Sequence, residues 1–159
     1  MNKVDLKTFV KTGRLSGLEF GISTKDDLFR AFGKTKDISK GFETLIYRYG
    51  WYEFFVWEKN NIVYAFQNDH LISDCINHKE MISFKNEKVD INPWFLTEEK
   101  DCSYLQLKEF LKQENITFSE QINKHNTLII ILDNNISFDF DIPVKEKAIL
   151  NAIRLFTYE

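Results

Sequence analysis

Pairs of carboxylates are the residues in this sequence whose types and spacing come closest to those of an active site. They occur at three places: Asp26 and Asp27, Glu98 and Glu99, and Asp139 and Asp141. A glycosidase-type acid and base require one carboxyl group that is desolvated and holds its proton near neutral pH. The first two pairs lie at predicted helix starts, where negative charge stabilises a helix, so a structural role explains them.

Asp139 and Asp141 alternate with Phe138 and Phe140 in a segment that we predict to be a strand. The aromatic side chains then face a buried core, and the two acids face solvent from the open side of the sheet. Because solvation opposes the proton retention that an acid catalyst needs, we predict that the chain is not an enzyme. A small hydrolase that uses this carboxylate pair is the alternative.

One stretch of the chain gathers side chains that bind metals. Its members are His70, Asp74, Cys75 and His78. A structural zinc site usually has four ligands in tight paired spacing, and in a strand Cys75 would point away from the other three. We therefore predict surface histidines beside a core cysteine, with no metal or other cofactor. Cys102 follows Asp101, whose charge disfavours a thiolate, so we expect unreactive thiols at both cysteines.

The segment from Trp51 to Trp57 is the most informative aromatic stretch. Strand alternation places Trp51, Glu53, Phe55 and Trp57 on one face and Tyr52, Phe54 and Val56 on the other. Large apolar groups on both faces are typical of a central strand that helices cover on both sides. We therefore expect Trp51 and Trp57 to belong to the core. An exposed aromatic patch that binds a partner is the alternative, because Trp and Tyr dominate binding hot spots.

The charge pattern and hydropathy argue against two classes of partner. The 159 residues carry a net charge of −3, with lysines and acids interspersed, as in Lys3, Asp5 and Lys7. Nucleic-acid-binding domains usually carry a basic stripe, so we predict no nucleic-acid partner. The N terminus lacks the apolar run of a secretory signal, and no stretch approaches the roughly 18 apolar residues of a membrane span. We therefore expect a cytoplasmic protein without a membrane partner.

The periodicities predict a single α+β domain over residues 1–159, in which two or three helices pack on antiparallel β-sheet meanders. The predicted helices cover 4–12, 24–32 and a segment that begins near Ser103. Ser23 with Asp26, and Ser103 with Gln106, have the spacing of capping boxes. Extended segments are predicted at 44–49, 51–57, 61–67, 71–76, 81–84, 127–132 and 136–141. Residues 148–156 fit either a helix or a final strand.

The two halves of the chain share an order of elements that suggests an internal repeat, with half-repeats at 18–90 and 97–159. Each half has a helix, a polar stretch and then strands. A Thr-Leu-Ile triplet opens a strand in each half, at Thr44 and at Thr127, and an aromatic-rich strand follows both. Two repeats are too few for a solenoid, so we expect the halves to join in one core with a pseudo-two-fold relation. The repeat also favours a strand for 148–156.

The run Leu18-Glu19-Phe20-Gly21-Ile22-Ser23, the helix that ends at Phe32-Gly33 and the aromatic strands after it resemble a pattern of small bacterial immunity proteins. These proteins accompany polymorphic toxins and contact-dependent growth inhibition toxins. The resemblance covers residues 18–67 in detail and the second half only by its order of elements. It implies a cytoplasmic, non-enzymatic protein that binds one toxin domain, often a nuclease, and occludes the active site of that domain.

We therefore predict that this chain is an immunity protein that binds and neutralises a cognate toxin domain. In this interpretation acids steer association with a basic catalytic groove, and aromatic side chains anchor the complex. The predicted contact residues are Trp51, Tyr52, Glu53, Asp139 and Asp141. Besides the hydrolase, an intracellular adaptor in a larger complex is the other alternative.

Overall fold

The computed structural model describes residues 1–73, 76–95, 101–141 and 147–157, and these residues form an α+β fold. The helices in these ranges are α1 (Leu6–Thr12), α2 (Lys25–Phe32), α3 (His78–Ile82) and α4 (Tyr104–Gln113). The strands of the first half are β1 (Asn2–Asp5), β2 (Arg14–Leu15), β3 (Leu18–Glu19), β4 (Ile38–Lys40), β5 (Thr44–Tyr49), β6 (Tyr52–Trp57) and β7 (Val63–Asn68). Those that follow are β8 (Phe84–Lys85), β9 (Val89–Asn92), β10 (Phe118–Ile122), β11 (Leu128–Leu132), β12 (Ile136–Asp141) and β13 (Ile149–Phe156).

Eight of these strands form one antiparallel sheet in the order β10-β11-β12-β13-β7-β6-β5-β4. Each half of the chain contributes four consecutive strands, β4 to β7 and β10 to β13, which form an up-and-down meander. The last strands of the two meanders, β7 and β13, pair with each other at the centre. The first strand of each meander therefore forms an outer edge of the sheet. A smaller sheet of β1, β9 and β8 and a short β2-β3 pair complete the described strands.

The two meanders have the same register. In the first, Arg48 pairs with Glu53 and Glu53 pairs with Gln67, while in the second the corresponding pairs are Ile131 with Ser137 and Ser137 with Arg154. Each meander shifts its register at the same place, between Phe55 and Val56 in one and between Asp139 and Phe140 in the other. This alignment puts the two Thr-Leu-Ile triplets at equivalent positions. Leu45 lies three residues before Arg48, and Leu128 lies three residues before Ile131.

A local two-fold axis relates the meanders and passes through one residue pair. Gln67 and Arg154 occupy equivalent positions, and they also pair directly with each other across β7 and β13. The helices are attached in the same way on both sides of this axis. Thr24 bridges to Ile62 before α2, as Ser103 bridges to Ile149 before α4. A common origin of the halves, with the boundaries 18–90 and 97–159, stays a prediction that this geometry supports.

All four described helices pack on one face of the large sheet. The aromatic contacts that define this face join Phe9 to Phe66, Phe32 to Phe54 and Tyr104 to Phe140, with ring centroids 5.1, 4.9 and 5.7 Å apart. The Tyr52 hydroxyl donates to the backbone oxygen of Ile82 at the end of α3. Because every second side chain of a strand points to the same face, the apolar half of each alternating pattern forms the core. Burial of each large core side chain contributes roughly 1.5–3 kcal/mol relative to exposure.

The opposite face of the sheet carries no helix in the described ranges, and we call it the open face. It includes the side chains of Arg48, Glu53, Gln67 and Arg154, which are half-buried. The expectation that helices cover β6 on both sides is therefore wrong. On the open side, Glu53, Phe55 and Trp57 lose part of their solvent contact because they pack against neighbouring side chains of the same face.

The helix predictions hold with shifted starts. Residues 2–5 form β1, which pairs in parallel with β9, so α1 begins at Leu6 instead of residue 4. The capping box of α2 lies one residue later than predicted, because Thr24 accepts from the Asp27 amide at 3.4 Å and Asp27 accepts from the Thr24 amide at 2.8 Å. The Ser23 hydroxyl instead accepts from the Glu19 amide at 2.9 Å and closes the preceding turn.

The remaining element predictions are confirmed in part, and two of the predicted strands are wrong. Helix α4 has the predicted capping box of Ser103 and Gln106, and residues 148–156 lie almost entirely in β13. Of the predicted strand 81–84, Met81 and Ile82 belong to α3, and Phe84 is the first residue of β8. The side-chain amide of Asn68 donates to the Met81 carbonyl at 2.8 Å, near the end of α3. Of the predicted segment 71–76, residues 74 and 75 lie outside the described residues and the others belong to no strand.

Candidate functional site

A row of hydrogen-bonded polar side chains crosses the open face. Arg48 on β5 donates from Nη2 to the Ser39 hydroxyl on β4 and from Nε to Glu53 on β6, both at 2.9 Å. The second carboxylate oxygen of Glu53 accepts from Nε2 of Gln67 on β7 at 2.6 Å. We call these residues and their continuation in the second meander the polar row. Alternation along each strand directs these side chains to the same face.

The polar row continues across the local two-fold axis. Arg154 on β13 donates from Nε to Oε1 of Gln67 at 3.0 Å and forms an ion pair with Asp139 on β12. The row therefore joins side chains of six neighbouring strands. Two of the predicted contact residues, Glu53 and Asp139, belong to it, and each is paired with an arginine. Charge-assisted pairs of this kind hold both partners in a defined geometry.

The two arginines of the polar row have different electrostatic settings. The hydrogen bond to Glu53 raises the pKa of Arg48, and Asp37 adds to this effect. Burial lowers the pKa of Arg154, while the charge of Asp69 acts in the opposite direction. A guanidinium group keeps its proton in proteins, so the row consists of fixed charges and offers no path for proton transfer through these arginines.

Aromatic side chains occupy the open face beside the polar row. Trp57 stacks on Tyr64 with ring centroids 3.9 Å apart, and Phe55 contacts Tyr64 at 6.2 Å and Phe156 at 5.7 Å. The Tyr64 hydroxyl lies 3.1 Å from the hydroxyl of Thr44, which is buried beneath it. All four rings are half-buried, so they pack on one another and still present apolar surface to solvent.

Trp51 lies at the tight turn between β5 and β6. Gly50 precedes it with a φ of 62°, a left-handed conformation that glycine adopts without strain. The Trp51 side chain is 38% exposed and contacts the ring of His70, with ring centroids 4.4 Å apart.

Two concavities adjoin Trp51. One has a volume of about 340 Å³ and is lined by Asp37, Arg48, Glu53 and His70, and the other has about 510 Å³ and is lined by Glu80, Ser83, Phe84, Lys85 and Asp90.

A third concavity lies on the open face of the second meander and has a volume of about 730 Å³. Its apolar residues are Ile129, Ile131 and Phe156, and its polar residues are Gln121, Asn135, Ser137 and Thr157. Ile131 and Ser137 are the equivalents of Arg48 and Glu53 under the local two-fold axis. The described residues that line this concavity include none with a charge, so related places on the two meanders have different chemistry.

The predicted contact residues have four different environments. Glu53 and Asp139 lie in the polar row, and Asp141 lies exposed on the same face at the end of β12. The expectation that Trp51 belongs to the core is wrong. Trp51 is 38% exposed, because it lies in the turn before β6 and not in the strand. Tyr52 is fully buried, which also raises its pKa. A partner cannot reach Tyr52 in the folded chain, so we withdraw it from the contact residues.

Sequence reasoning missed four residues of the polar row, which are Ser39, Arg48, Gln67 and Arg154. Strand alternation places Glu53 and Phe54 on different faces of the sheet, and the same pattern in β5, β7 and β13 places Arg48, Gln67 and Arg154 on the face of Glu53. Arg48 lies between two core tyrosines of β5, and Arg154 lies between two core aliphatic residues of β13. Charged residues inside an apolar strand pattern were the available signal.

The two histidines of the predicted metal-capable stretch have separate partners. Nε2 of His70 lies 3.1 Å from Asp69, and His70 is at the surface as predicted. His78 is buried, contrary to the prediction. Its Nε2 lies 3.0 Å from the Leu71 carbonyl oxygen. Across the described part of the chain, no three metal-binding side chains come together. Asp74 and Cys75 lie outside the described residues.

Cys102 is a free, buried thiol. Burial raises its pKa to about 12, and the charge of Asp101 adds a smaller effect in the same direction. A thiol with a raised pKa forms little of the nucleophilic thiolate, which agrees with the prediction of an unreactive cysteine. Among the carboxylate pairs, Asp27 belongs to the capping box of α2, and the ion pair with Arg154 gives Asp139 a structural partner. Glu98 and Glu99 lie outside the described residues.

Comparisons with family models, with curated proteins and with solved structures give no match to this chain. Within the described ranges, the helices are too short or too polar to cross a membrane. The interpretation of the open face therefore depends on its own geometry and charge.

Proposed function

We propose that this chain is a protein-binding module and that it acts as an immunity protein, which binds a bacterial toxin domain in the cytoplasm and occludes its active site. The open face carries this proposal, because exposed Trp51, half-buried aromatic rings and arginine-paired acids lie together on one side of the sheet. Apolar surface bordered by polar groups is typical of interaction sites, and Trp, Tyr and Arg are enriched in binding hot spots.

In the proposed complex the toxin domain covers the open face. The polar row holds its charged side chains in place before binding, so the complex loses less side-chain entropy than a flexible surface would. The aromatic rings supply apolar contact area, while acids near Trp51 steer a basic toxin surface towards the face. Inhibition follows from steric occlusion and needs no covalent chemistry.

Co-expression with the toxin encoded beside this chain tests the proposal. We expect the chain to restore growth of cells that produce the toxin and to copurify with the toxin domain. Absence of both protection and a complex would contradict an immunity function. Copurification with a host complex that contains no toxin would instead identify an adaptor.

A matched pair of charge insertions tests which face is used. Ile131→Arg places a cation in the uncharged concavity of the open face, whereas Leu105→Arg places the same group on α4, where Leu105 is 53% exposed. We expect Ile131→Arg to lose protection and Leu105→Arg to keep it, with circular dichroism to verify that both variants fold. The reverse result would show that the partner contacts the helical side.

A further inference from the structure

Trp51 lies between two concavities that both carry acids. We propose that the surface around Trp51 binds a basic segment of the partner protein, whose lysine or arginine side chains enter these two concavities. This inference rests on the proposed function, because it assumes a protein partner, and it specifies the chemistry of that partner. We call Trp51 and the residues that line its two concavities the Trp51 surface.

The charge of the Trp51 surface favours a cation. The surface has four carboxylates, which are Asp37, Glu53, Glu80 and Asp90. It has two cations, Arg48 and Lys85, so its net charge is −2 with neutral histidine. Asp69 lies beside the surface, where it contacts His70, and its charge also acts on Arg154.

The carboxylates of this surface retain capacity for further donors. Asp37 is 63% exposed at its side chain and lies 3.4 Å from Nη1 of Arg48, and Asp90 lies 3.7 Å from Nζ of Lys85. These separations are longer than those of strong charge-assisted hydrogen bonds, and a carboxylate has about four acceptor sites. An incoming ammonium or guanidinium group can therefore bind without displacing Arg48 or Lys85.

Trp51 adds a second type of attraction. The face of an indole ring attracts cations, and such contacts contribute to binding even at exposed sites. The edge-on contact with His70 holds the Trp51 ring at the border of both concavities. The acids repel phosphate groups at the same place, which favours a basic protein over a nucleic acid as the partner. The uncharged concavity of the second meander lacks these features and serves as an internal comparison.

A titration followed by nuclear magnetic resonance tests this inference on the full chain. The probes are acetyl-arginine amide and its uncharged isostere acetyl-citrulline amide. We expect saturable shifts of the Trp51 indole signal and of the Gly50 and His70 amides with the arginine probe only, with weaker binding at high salt because charges are screened. Absence of saturation, an equal response to citrulline, or shifts confined to the concavity at Ile131 would overturn the inference. A saturable response of the Trp51 indole to oligothymidylate would also overturn it, in favour of nucleic acid.

Three variants locate the contacts. We expect Trp51→Ala to weaken binding of the arginine probe about two- to fivefold through loss of the cation–π contact. Asp37→Asn removes one exposed charge, so we expect about a twofold weakening. Phe42→Ala is the control, because Phe42 is 89% exposed and lies beyond the opposite end of β5. Equal affinity of all three variants would contradict the assignment.

The same variants separate this inference from the proposed function. A toxin complex that forms with unchanged affinity in both Trp51→Ala and Asp37→Asn would overturn the basic-segment inference and leave the immunity function intact. A chain that binds the arginine probe at Trp51 but gives neither protection nor a complex would contradict the immunity function alone.

Discussion

The open face of the first meander carries Arg48, Glu53 and Gln67, whereas the equivalent positions of the second meander carry Ile131, Ser137 and Arg154. On the core face, several equivalent positions carry the same residue, as in Leu45 and Leu128 or Phe54 and Phe138, although buried Asn68 is equivalent to Leu155. The two halves therefore differ most along the polar row, where charged residues of one half replace uncharged residues of the other.

Backbone hydrogen bonds explain why the halves can differ so freely on one side. Both meanders have their register shift at the same place. In both, the start of the last strand also forms a backbone hydrogen bond with the residue that precedes a helix N-cap. Leu150 donates to the Cys102 carbonyl at 2.7 Å, as Val63 donates to the Ser23 carbonyl at 2.8 Å. These bonds involve no side chains, so substitutions on the open face leave them in place.

The largest expected effect comes from equivalent core phenylalanines. Phe54→Ala and Phe138→Ala each remove a fully buried ring, and we expect each to lower the free energy of unfolding by about 3–5 kcal/mol. The ring centroid of Phe54 lies 4.9 Å from that of Phe32 and 5.2 Å from that of Phe66, whereas the centroids of Phe138 and Phe95 are 6.1 Å apart. Because Phe54 packs more closely, Phe54→Ala should lower the free energy of unfolding more than Phe138→Ala does. Urea denaturation measures both values. A cost below about 1 kcal/mol at either site would contradict their equivalence in the core.

A smaller effect is expected at the residues on the local two-fold axis. Arg154→Leu leaves the partly buried carboxylate of Asp139 without its cation, and we expect a loss of about 1–3 kcal/mol in the free energy of unfolding. Gln67→Leu removes neutral hydrogen-bonding groups, so its cost should be about 1 kcal/mol. The double variant Arg154→Leu/Asp139→Asn should recover part of the loss. Strict additivity of the Arg154 and Asp139 substitutions in urea denaturation would show that the ion pair contributes nothing.

The helix caps give a third comparison, in which the halves should behave alike. Thr24→Ala and Ser103→Ala each remove the side-chain acceptor of an N-cap, and each should cost about 1 kcal/mol of unfolding free energy at neutral pH. Thermal and urea denaturation measure the two costs side by side. Thr117→Ala is a control, because Thr117 is exposed and lies between α4 and β10. A cost at only one cap would show that the two helices contribute differently to their meanders.

The sequence predicted those elements whose signals are local. The capping box of Ser103 and Gln106 and the aromatic alternation of β6 are patterns of neighbouring residues, and both are confirmed. Helix α3 was missed because its five residues contain too little periodicity to show a helix. Contacts from distant residues define its end, where Asn68 and Tyr52 donate to its last carbonyls.

The polar row shows where sequence patterns stop being informative. Alternation predicted that Glu53 and Asp139 leave the core, but it could not show that they share one surface. That arrangement depends on the pairing of β7 with β13, and the hydrogen bond between Gln67 and Arg154 joins residues 87 positions apart. Trp51 was misassigned for a related reason, because a strand start and a turn differ by one residue in the sequence.

The smallest expected effect distinguishes the two caps by pH. Hydrogen bonds from Thr24 are the main cause that lowers the pKa of Asp27, with Arg30 adding to them. A carboxyl whose folded pKa lies below its unfolded value stabilises the protein fully above the unfolded pKa, about 3.9, and this contribution is lost as the pH falls through the folded value. Gln106, the equivalent residue of α4, does not titrate. In urea denaturation between about pH 7 and pH 2, Asp27→Asn should therefore flatten the acid loss of stability and Gln106→Glu should steepen it. Equal pH profiles for both variants and the unmodified chain would show that the cap carboxylate has the same pKa in the folded and unfolded states.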